Sequence, residues 1–574
     1  MKHIFPVTVL LACLAGASGL VSAAGPVSVV SATPFGSSGT DWASAVALGK
    51  GGEIYVAGRL GEQLDRLGGK APALKLGRQE KGWKYGRAFV ARFSADGRTL
   101  EAWAVMAPGA CRLTALSVGP DGQVYAAGYA GPGLEPAIAD LGGLQKTGRY
   151  DQRDYKLHTP VEHHDEPRRS PDNDQRGVPV VLRFSADLTK LTAGTLLEGW
   201  QSTWHVPRTL NEDHWQPTLI GILAGGDVVV CHDGGYAARP AEGETIGYEH
   251  FYYIPDHISR LSPDLSQRRW HRRLQMPRIG RETIQKAIDA GRTHTVNPPK
   301  IQWKHDSIGQ TRPFRLAVDR EGKGFYLAGW SASRTSNEPW WTPFALGFDG
   351  SGKEVFQTYT PNPMSGGGGR MGGLVSDAAI RSIRLDAEGN ILIAGIGDGG
   401  NSILRQDPRD YTKPAPRLRG SVHSFPGRVL FWGMVARIDR TSGQLLGGDH
   451  LMGLRQRRYK GTRTMLSEAW ATDLAGLEDG RVLVIGRQQG GFHTTENAFS
   501  TSGPGGLVRL YAPDFRLLSS STFDGAAPME LAVSGNRAVL VGRINAEKPL
   551  SKEPAATPGG RTDALLMVLE VQSP

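Results

Sequence analysis

Histidine side chains are concentrated in one part of this 574-residue chain, because eleven of its 15 histidines fall between residues 158 and 305. A neutral imidazole binds Zn²⁺ or Cu²⁺, and an imidazole that titrates near neutral pH also acts as a general acid or base. The most distinctive position is His232, which is followed at once by the carboxylate of Asp233. The flanking segments add three histidines and a tyrosine: His205, His214, His250 and Tyr252.

Two kinds of site can be built from these residues. For a catalytic group that removes a proton from a bound substrate, the candidates are His232, His250 and Tyr252. For a site that binds a divalent metal ion, the candidates are His205, His214, His232 and Asp233. The sequence contains no HExxH, CxxC or comparable fixed spacing. The alternative that these histidines are structural or solvent-facing therefore stays open, and no cofactor other than a divalent metal is indicated.

Basic residues are gathered in four segments, although the formal net charge of the whole chain is only +10. Residues 451–467 contain no acidic residue and five basic ones, including Arg455, Arg457, Arg458 and Arg463. The other basic segments are 59–87, 276–313 and 405–428. Such density of positive charge favours binding of a polyanion. Tryptophans can stack on sugar rings or cover long loops, and the candidates for ligand contact are Trp204, Trp215, Trp340 and Trp341.

A short pattern recurs along the chain and predicts the elements that must position these residues. Residues 49–58 read GKGGEIYVAG, a glycine turn followed by a short β-rich run. Six variants follow, ending at Gly128, His232, Gly329, Gly395, Gly486 and Gly542. Short strands bounded by turn residues and repeated this often predict an array of like units in one closed body. Because only the third of the seven units ends this pattern without glycine, we expect His232→Gly to preserve or improve stability if His232 has a functional role.

Each unit is predicted to contain four antiparallel strands, A to D, at 42–48, 53–58, 88–93 and 100–105 in the first unit. The seventh unit ends with its C strand at 564–570, whereas an unassigned strand at 27–31 precedes the first unit. An N-terminal strand that completes the last sheet closes a β-propeller and removes its free edges. We therefore predict an all-β fold with one domain, a seven-bladed β-propeller over residues 25–574.

The repeats also resemble a known family. Phrases such as GTDWASAVALGKGGEIYVAGR, FVARFSADG and FHTTENAFSTSGPGGLVRLY are similar to the SBBP-type repeat of bacterial seven-bladed β-propellers. The resemblance covers essentially the whole chain after residue 24. It implies the propeller fold and a secreted bacterial protein, and it implies no particular activity, since one fold hosts many functions.

The lengths of the links predict which face of the propeller carries the function. The A–B and C–D links are tight turns, whereas the B–C links and several D–A links are long, the longest being residues 129–178. B–C and D–A links leave an antiparallel four-stranded blade at the same end, so all the long links lie on one face. Sites are built from loops on a rigid scaffold. We call this side the decorated face and the opposite side the turn face.

The first 24 residues have the pattern of an export signal. Lys2 is followed by an apolar run and by a small-residue cleavage site at Ala23 or Ala24. Export predicts a periplasmic, extracellular or cell-surface location, with lipid anchoring at Cys13 as the less favoured alternative. It also makes nucleic acid an unsuitable partner, and no later segment has the roughly 18 apolar residues of a membrane span. After cleavage, Cys111 and Cys231 are too few for a disulfide scaffold.

Three functions are compatible with these features. The sequence favours a secreted binding or scaffold protein whose basic, aromatic face holds an anionic polysaccharide or an extracellular protein. The second function is catalytic, either a polysaccharide lyase in which arginine neutralises a uronate or a metal-dependent enzyme, with the site in the third unit. The third is a structural protein of the cell surface.

Overall fold

The computed structural model describes residues 25–37, 39–61, 67, 69–79, 87–108, 110–131, 133–138, 178–197, 217–233, 256–274, 310–332, 341–358, 378–398, 406–407, 410–414, 431–459, 462–545 and 562–573. Nearly all of these residues lie in strands or tight turns, and one short helix, α1, spans Glu135–Ile138. Within these ranges, no helix is long and apolar enough to cross a membrane.

Seven antiparallel sheets form the blades. Strand β1 (Val27–Phe35) precedes blade 1, which contains β2 (Trp42–Leu48), β3 (Ile54–Leu60), β4 (Leu74–Leu76), β5 (Arg87–Phe93) and β6 (Leu100–Met106). Blade 2 contains β7 (Cys111–Val118), β8 (Val124–Ala130), β9 (Val178–Phe184) and β10 (Leu191–Leu196). Blade 3 contains β11 (Leu219–Ile222), β12 (Val228–Asp233), β13 (Asp256–Leu261) and β14 (Arg268–Arg273). Blade 4 contains β15 (Gln310–Val318), β16 (Gly324–Ala332), β17 (Trp341–Asp349) and β18 (Glu354–Thr358).

The later blades carry two additional hairpins. Blade 5 contains β19 (Ala378–Leu385), β20 (Ile391–Asp398), β23 (Phe431–Ile438) and β24 (Leu445–Leu451), with a hairpin of β21 (Gln406–Asp407) and β22 (Asp410–Pro414) in its B–C link. A second hairpin, β25 (Gly453–Tyr459) and β26 (Thr462–Ser467), links blade 5 to blade 6. Blade 6 contains β27 (Ala469–Gly476), β28 (Val482–Gln488), β29 (Gly505–Tyr511) and β30 (Leu517–Asp524). Blade 7 contains β31 (Ala526–Ser534), β32 (Arg537–Asn545) and β33 (Thr562–Val571).

The ring is closed by the N-terminal strand, as the sequence predicts. Strand β1 pairs antiparallel with β33, so the sheet of blade 7 has the order β1-β33-β32-β31. The pairing runs from Val27 opposite Val571 to Phe35 opposite Ala564, and β1 is therefore longer than the predicted strand at 27–31. The A strands of neighbouring blades contact one another around the complete ring, including β31 of blade 7 with β2 of blade 1. Seven blades with A innermost confirm the seven-bladed propeller.

The core lies between the blades, because each sheet is covered on both faces by a neighbour. In blade 1, Ile54 and Val56 pack in a cluster with side chains of blade 7. Tyr55 and Ala57 point to the other face and pack with side chains of blade 2. Strands buried on both faces read as continuous apolar runs rather than as apolar–polar alternation. The one departure from four strands per blade is β4, which pairs in parallel with β6 as a fifth strand of blade 1.

Arginines tie neighbouring blades together on the turn face. Each donates to a carbonyl oxygen in the C–D turn of the next blade: Arg92 to Ala186 at 3.3 Å, Arg260 to Gly350 at 2.6 Å, Arg437 to Pro513 at 2.6 Å and Arg537 to Ala95 at 3.0 Å. The last of these bonds joins blade 7 to blade 1. Four C-strand arginines pair with a carboxylate of their own blade, as Arg260 does with Asp227 at 2.7 Å. These contacts give the C-strand arginines a structural role in holding the blades together.

Candidate functional site

The hairpin of β25 and β26 carries the most basic segment of the chain. Arg455, Arg457 and Arg458 lie on β25 and Arg463 lies on β26. The hairpin joins strand D of blade 5 to strand A of blade 6, and such a link emerges on the decorated face. The register places Arg458 opposite Arg463. The backbone register therefore gathers the basic positions of this segment on the two strands of one hairpin.

Arginines stack on aromatic rings near the decorated ends of the inner strands in several blades: in blade 1 the guanidinium of Arg59 lies 4.8 Å from the ring centroid of Trp42, and three further stacks lie in blades 4 to 6. The Arg312 guanidinium lies over the Trp330 ring, 5.6 Å from its centroid, in blade 4. In blade 6 the guanidinium of Arg487 lies 5.8 Å from the ring centroid of Trp470. The third stack crosses between blades, because Arg381 of blade 5 lies 4.4 Å from the centroid of Phe314 in blade 4. We call the six residues of the stacks in blades 4 to 6 the arginine–aromatic cluster.

Four charged side chains meet deeper along the axis and are named here the axial ion cluster: Arg315, Arg384, Asp473 and Glu530. They come from the A strands of blades 4, 5, 6 and 7, respectively. Arg315 pairs with Glu530 and, at 3.3 Å, with Asp473. Arg384 pairs with Asp473 at 2.9 Å and with Glu530 at 3.6 Å. Blades 4 and 7 are as far apart as two blades of a seven-membered ring can be, so the Arg315–Glu530 pair spans the axis.

Backbone and hydroxyl groups complete the coordination of the two carboxylates. Asp473 accepts hydrogen bonds from the Ser382 hydroxyl and, at 2.9 Å, from the Leu531 amide of the next blade. Glu530 accepts a hydrogen bond of 3.3 Å from the Val46 amide of blade 1. The cluster therefore connects five consecutive blades.

The two carboxylates of the axial ion cluster have opposite pKa shifts. Burial opposes ionisation of Asp473, but the guanidiniums of Arg315 and Arg384, together with the Ser382 hydroxyl and the Leu531 amide, outweigh it and lower the pKa of Asp473. Burial raises the pKa of Glu530, and the same two arginines offset only part of that rise, while the Asp473 charge adds to it. The arrangement therefore keeps Asp473 ionised more firmly than Glu530.

Blade 3 brings three histidines together across its B, C and D strands. His232 and His257 are opposite each other in the register of β12 and β13, and their ring centroids are 5.7 Å apart. Nδ1 of His257 lies 2.7 Å from Nε2 of His271, whose Nδ1 lies 3.0 Å from the Ser259 hydroxyl. This histidine chain can pass a proton between adjacent imidazoles. His232 and His257 are each only 1% exposed, so the chain lies within the sheet layer.

The structure explains why six blades end strand B with glycine and blade 3 does not. In those six blades, a Cβ at the glycine would overlap a carbonyl oxygen of strand A, as at Gly128, where it would meet the oxygen of Arg112. In blade 3, strand A begins at Leu219, opposite Cys231, and within the described chain no strand-A residue pairs with His232. The space that glycine provides elsewhere is not required here. The expectation that His232→Gly restores a needed repeat feature therefore loses its physical basis.

The structure describes only some of the residues singled out by sequence. Asp233 ends β12 opposite Asp256, Trp341 begins β17, and Cys111 and Cys231 are buried. Among the described residues, no group of three or more His, Cys, Asp or Glu side chains is arranged to hold a metal ion. The remaining candidates lie outside the described residues: His205, His214, His250, Tyr252, Trp204, Trp215 and Trp340. Their assignment to a catalytic, metal or ligand site stays a prediction.

Sequence reasoning missed the axial ion cluster and the partners of His232. A signal was present, because Arg315, Asp473 and Glu530 occupy A-strand positions where blades 1 and 2 have Ala45 and Ala115. Charged residues on strands that are otherwise buried and apolar predict mutual pairing. His257 and His271 lie within the histidine-rich segment, but only the strand register shows that they are neighbours.

Comparison with known proteins identifies neither a family nor an activity. No protein-family model matches the chain, and no curated protein matches it. The resemblance to the SBBP-type repeat therefore stays a prediction. Among solved structures, the β-propeller domain of the Trilobed protease from Pyrococcus furiosus is similar at 7% identity and a TM-score of 0.35, with 93% of this chain and 96% of that chain covered.

Two further similar structures are enzymes. A polysaccharide lyase, an ulvan lyase bound to an oligosaccharide, has 8% identity and a TM-score of 0.40, with 89% of this chain and 91% of that chain covered. The periplasmic gluconolactonase of Pseudomonas aeruginosa has 13% identity and a TM-score of 0.35, with 85% and 86% covered. Similarities at this level carry no argument about what this chain binds or converts.

Proposed function

We propose that this propeller is an exported binding protein whose decorated face holds an anionic polysaccharide. The observation that carries the proposal is the hairpin of β25 and β26, which emerges on the decorated face with five basic residues and no acidic one between residues 451 and 467. Its backbone register brings Arg458 and Arg463 opposite each other. The segment contains no carboxylate that could balance its positive charge, and a polysaccharide with repeating anionic groups would supply that balance. An acidic protein surface is the alternative partner.

The distribution of charge on the turn face supports the same choice of face. Arginines there are paired within the described residues, as Arg183 is with Asp121 and Arg481 is with Asp479, each at 2.6 Å. The C–D turns add aspartates, for example Asp187, whose pKa is lowered to about 2 by hydrogen bonds from Ser185 and Thr189. These turns therefore remain anionic at neutral pH and make the turn face a poor surface for a polyanion.

A salt-dependent retention experiment tests the proposal. Replacing Arg455, Arg457, Arg458 and Arg463 with Ser is expected to abolish retention on a heparin column, because it removes the positive charges that attract the polyanion. Salt screens such attraction beyond a Debye length of ~8 Å at physiological ionic strength, so retention of the wild-type protein should fall as the salt concentration rises. A matched control replaces four exposed arginines of the turn face: Arg98, Arg269, Arg320 and Arg516. The control loses the same formal charge and should still be retained. Equal loss in both variants would show that net charge alone causes retention, and a wild-type protein that is never retained would refute the proposal.

Polysaccharide cleavage is the second candidate, and the observation that favours it is the partly exposed His271 at the end of the histidine chain of blade 3. A lyase needs a base that removes a proton next to a uronate carboxylate, and imidazole has a suitable pKa near neutrality. A panel of anionic glycans, assayed both for binding and for new unsaturated ends, separates the two functions. Unsaturated ends that disappear in His257→Ala or His271→Ala would assign catalysis, whereas binding without cleavage would assign the binding function alone.

A further inference from the structure

The axial ion cluster holds its two carboxylates in unequal surroundings. Asp473 accepts hydrogen bonds of 2.9 Å from two backbone amides, that of the following residue and that of Leu531, and one more from the Ser382 hydroxyl. Glu530 accepts from one backbone amide, that of Val46, at the longer distance of 3.3 Å. Hydrogen bonds to the ionised form are what stabilise a carboxylate that is removed from water. Asp473 is therefore the better stabilised of the two charges.

The two arginines of the axial ion cluster are also divided unequally between the carboxylates. Arg384 lies 2.9 Å from an oxygen of Asp473 but 3.6 Å from Glu530, which is too far for a hydrogen bond. Arg315 pairs with both carboxylates. The side chains of Asp473 and Glu530 are 0% and 9% exposed, respectively, so little water reaches either group. Glu530 therefore depends on Arg315 for its charge-assisted hydrogen bond, whereas Asp473 has both guanidiniums.

The charged groups that face Glu530 come from three strands of the described chain: Arg315 of β15, Arg384 of β19 and Asp473 of β27. Its own strand β31 and strand β2 of blade 1 contain no other ionisable residue. Strand β32, which pairs with β31, places Val541 opposite Glu530 and carries its arginines near its two ends. Ionising both carboxylates thus places two negative charges in one buried site, and the charge of Asp473 opposes that of Glu530.

The pKa directions of the two carboxylates agree with this geometry. Burial raises the pKa of Glu530, and the charge of Asp473 adds to that rise. The pKa of Asp473 is lowered, because its guanidinium and hydrogen-bond partners outweigh its burial. A proton that enters the axial ion cluster therefore binds Glu530 while Asp473 stays ionised.

We propose that the axial ion cluster is an acid-sensitive latch, in which Glu530 takes up one proton from solvent as the pH falls and the closed ring is thereby stabilised. The proton binds a carboxylate oxygen of Glu530, and the two guanidiniums then share the single charge of Asp473. Glu530 lies in the blade that the N-terminal strand completes, and it bonds to Arg315 across the axis and to the Val46 amide of the adjoining blade 1. The latch thus acts where the ring closes, and it is independent of what the decorated face binds.

Unfolding measured as a function of pH tests the latch. Because the pKa of Glu530 is raised in the folded protein, the stabilisation that its proton provides is complete below the unfolded-state pKa of about 4.3. It is lost as the pH rises through the folded-state pKa. Between these two values, the unfolding equilibrium constant of the wild type should fall by about tenfold per unit decrease in pH relative to that of Glu530→Gln, which has no carboxylate to protonate. Urea unfolding from about pH 8 to about pH 4.5, monitored by tryptophan fluorescence, measures this difference.

A control and a spectroscopic measurement complete the test. Glu570→Gln is the matched control, because Glu570 is exposed on β33 and its stability difference from the wild type should not change with pH. In infrared spectra of the folded wild type, the C=O band of one buried carboxyl group should appear as the pH falls, and Glu530→Gln should lack it. Asp473→Asn removes the opposing charge, so its band should appear only at lower pH. A wild type that gains no stability relative to Glu530→Gln, or a band that appears at the same pH in Asp473→Asn, would overturn the latch.

Discussion

Replacing Asp473 with Asn should destabilise the whole propeller. Asp473 is fully buried, and its carboxylate accepts from Arg384 and the Leu531 amide at 2.9 Å each and from Arg315 at 3.3 Å. The Asn side chain has nearly the same shape, but its NH₂ group is a hydrogen-bond donor. It would face other N–H donors at a position where a carboxylate oxygen of Asp473 accepts their hydrogen bonds. Two arginines would then share the single charge of Glu530. Breaking a buried ion pair by neutralising one partner costs about 3–5 kcal/mol.

Urea unfolding monitored by tryptophan fluorescence measures this loss. The midpoint should fall with little change in the denaturant dependence, because unfolding exposes nearly the same additional surface in the variant as in the wild type. Asp514→Asn is the matched control, since Asp514 lies in an exposed turn and its carboxylate accepts a hydrogen bond from the Arg516 amide at 3.0 Å. Glu530→Gln should cost less than Asp473→Asn, because the raised pKa of Glu530 shows that its environment disfavours the ionised form.

The pH dependence gives an independent test of the same reasoning. The pKa of Asp473 is lowered in the folded state, so its ionised form stabilises the fold above the unfolded-state pKa of about 3.9. That contribution is lost as the pH falls through the folded-state pKa. The stability gap between wild type and Asp473→Asn should therefore be full at pH 7 and shrink below about pH 4. An Asp473→Asn midpoint equal to that of Asp514→Asn, or a gap that widens in acid, would refute the reasoning.

Three further predictions concern the ring and blade 3. Deleting residues 25–35 removes β1 and should lower the melting temperature of the whole propeller in one cooperative transition; an unchanged calorimetric trace would contradict closure by this strand. Gly128→Ala should lower the urea midpoint because its Cβ would overlap the Arg112 carbonyl oxygen, whereas Gly225→Ala, with nothing within 4 Å, should not; equal midpoints would exclude the steric explanation. His232→Gly should lower the free energy of unfolding by about 1–3 kcal/mol, because it removes a buried side chain and places glycine in a strand that does not need it. A melting temperature at or above that of the wild type would instead support the expectation from the repeat consensus.

The sequence predicts the scaffold well because the scaffold is encoded locally. A turn glycine, a short apolar strand and a second tight turn specify a hairpin by themselves, and the missing D strand of the seventh unit indicates the closure that β1 provides. The glycine that ends strand B is also a local signal, because it marks the point where the backbone of strand A lies against strand B. The repeat consensus does not show that strand A of blade 3 makes no such contact with His232, because the cause lies in the register of β11 rather than in His232 itself.

The axial ion cluster and the arginine–aromatic cluster could not be predicted in the same way. Arg315 and Glu530 are separated by more than two hundred residues, and they meet only because strands A of blades 4 and 7 face each other across the axis. Charge counts by segment identify Arg312 as one of several basic residues, but they do not show that its aromatic partner Trp330 packs in one apolar cluster with Phe314 and with Trp470 of blade 6. Charged residues at A-strand positions that are alanine in other blades indicate that partners exist, but sequence spacing does not show which side chains ring closure brings together.

Ring closure also separates stability from recognition in this molecule. The Arg315–Glu530 pair spans the axis, and Asp473 is fully buried beside it, so the middle of the ring is occupied by charges that serve the scaffold. The long links and the inner ends of blades 4 to 6 lie on one side of this layer, and the tight turns lie on the other. Substitutions in the hairpin of β25 and β26 should therefore change binding with little effect on unfolding. Asp473→Asn should do the reverse, lowering stability while the folded fraction still binds.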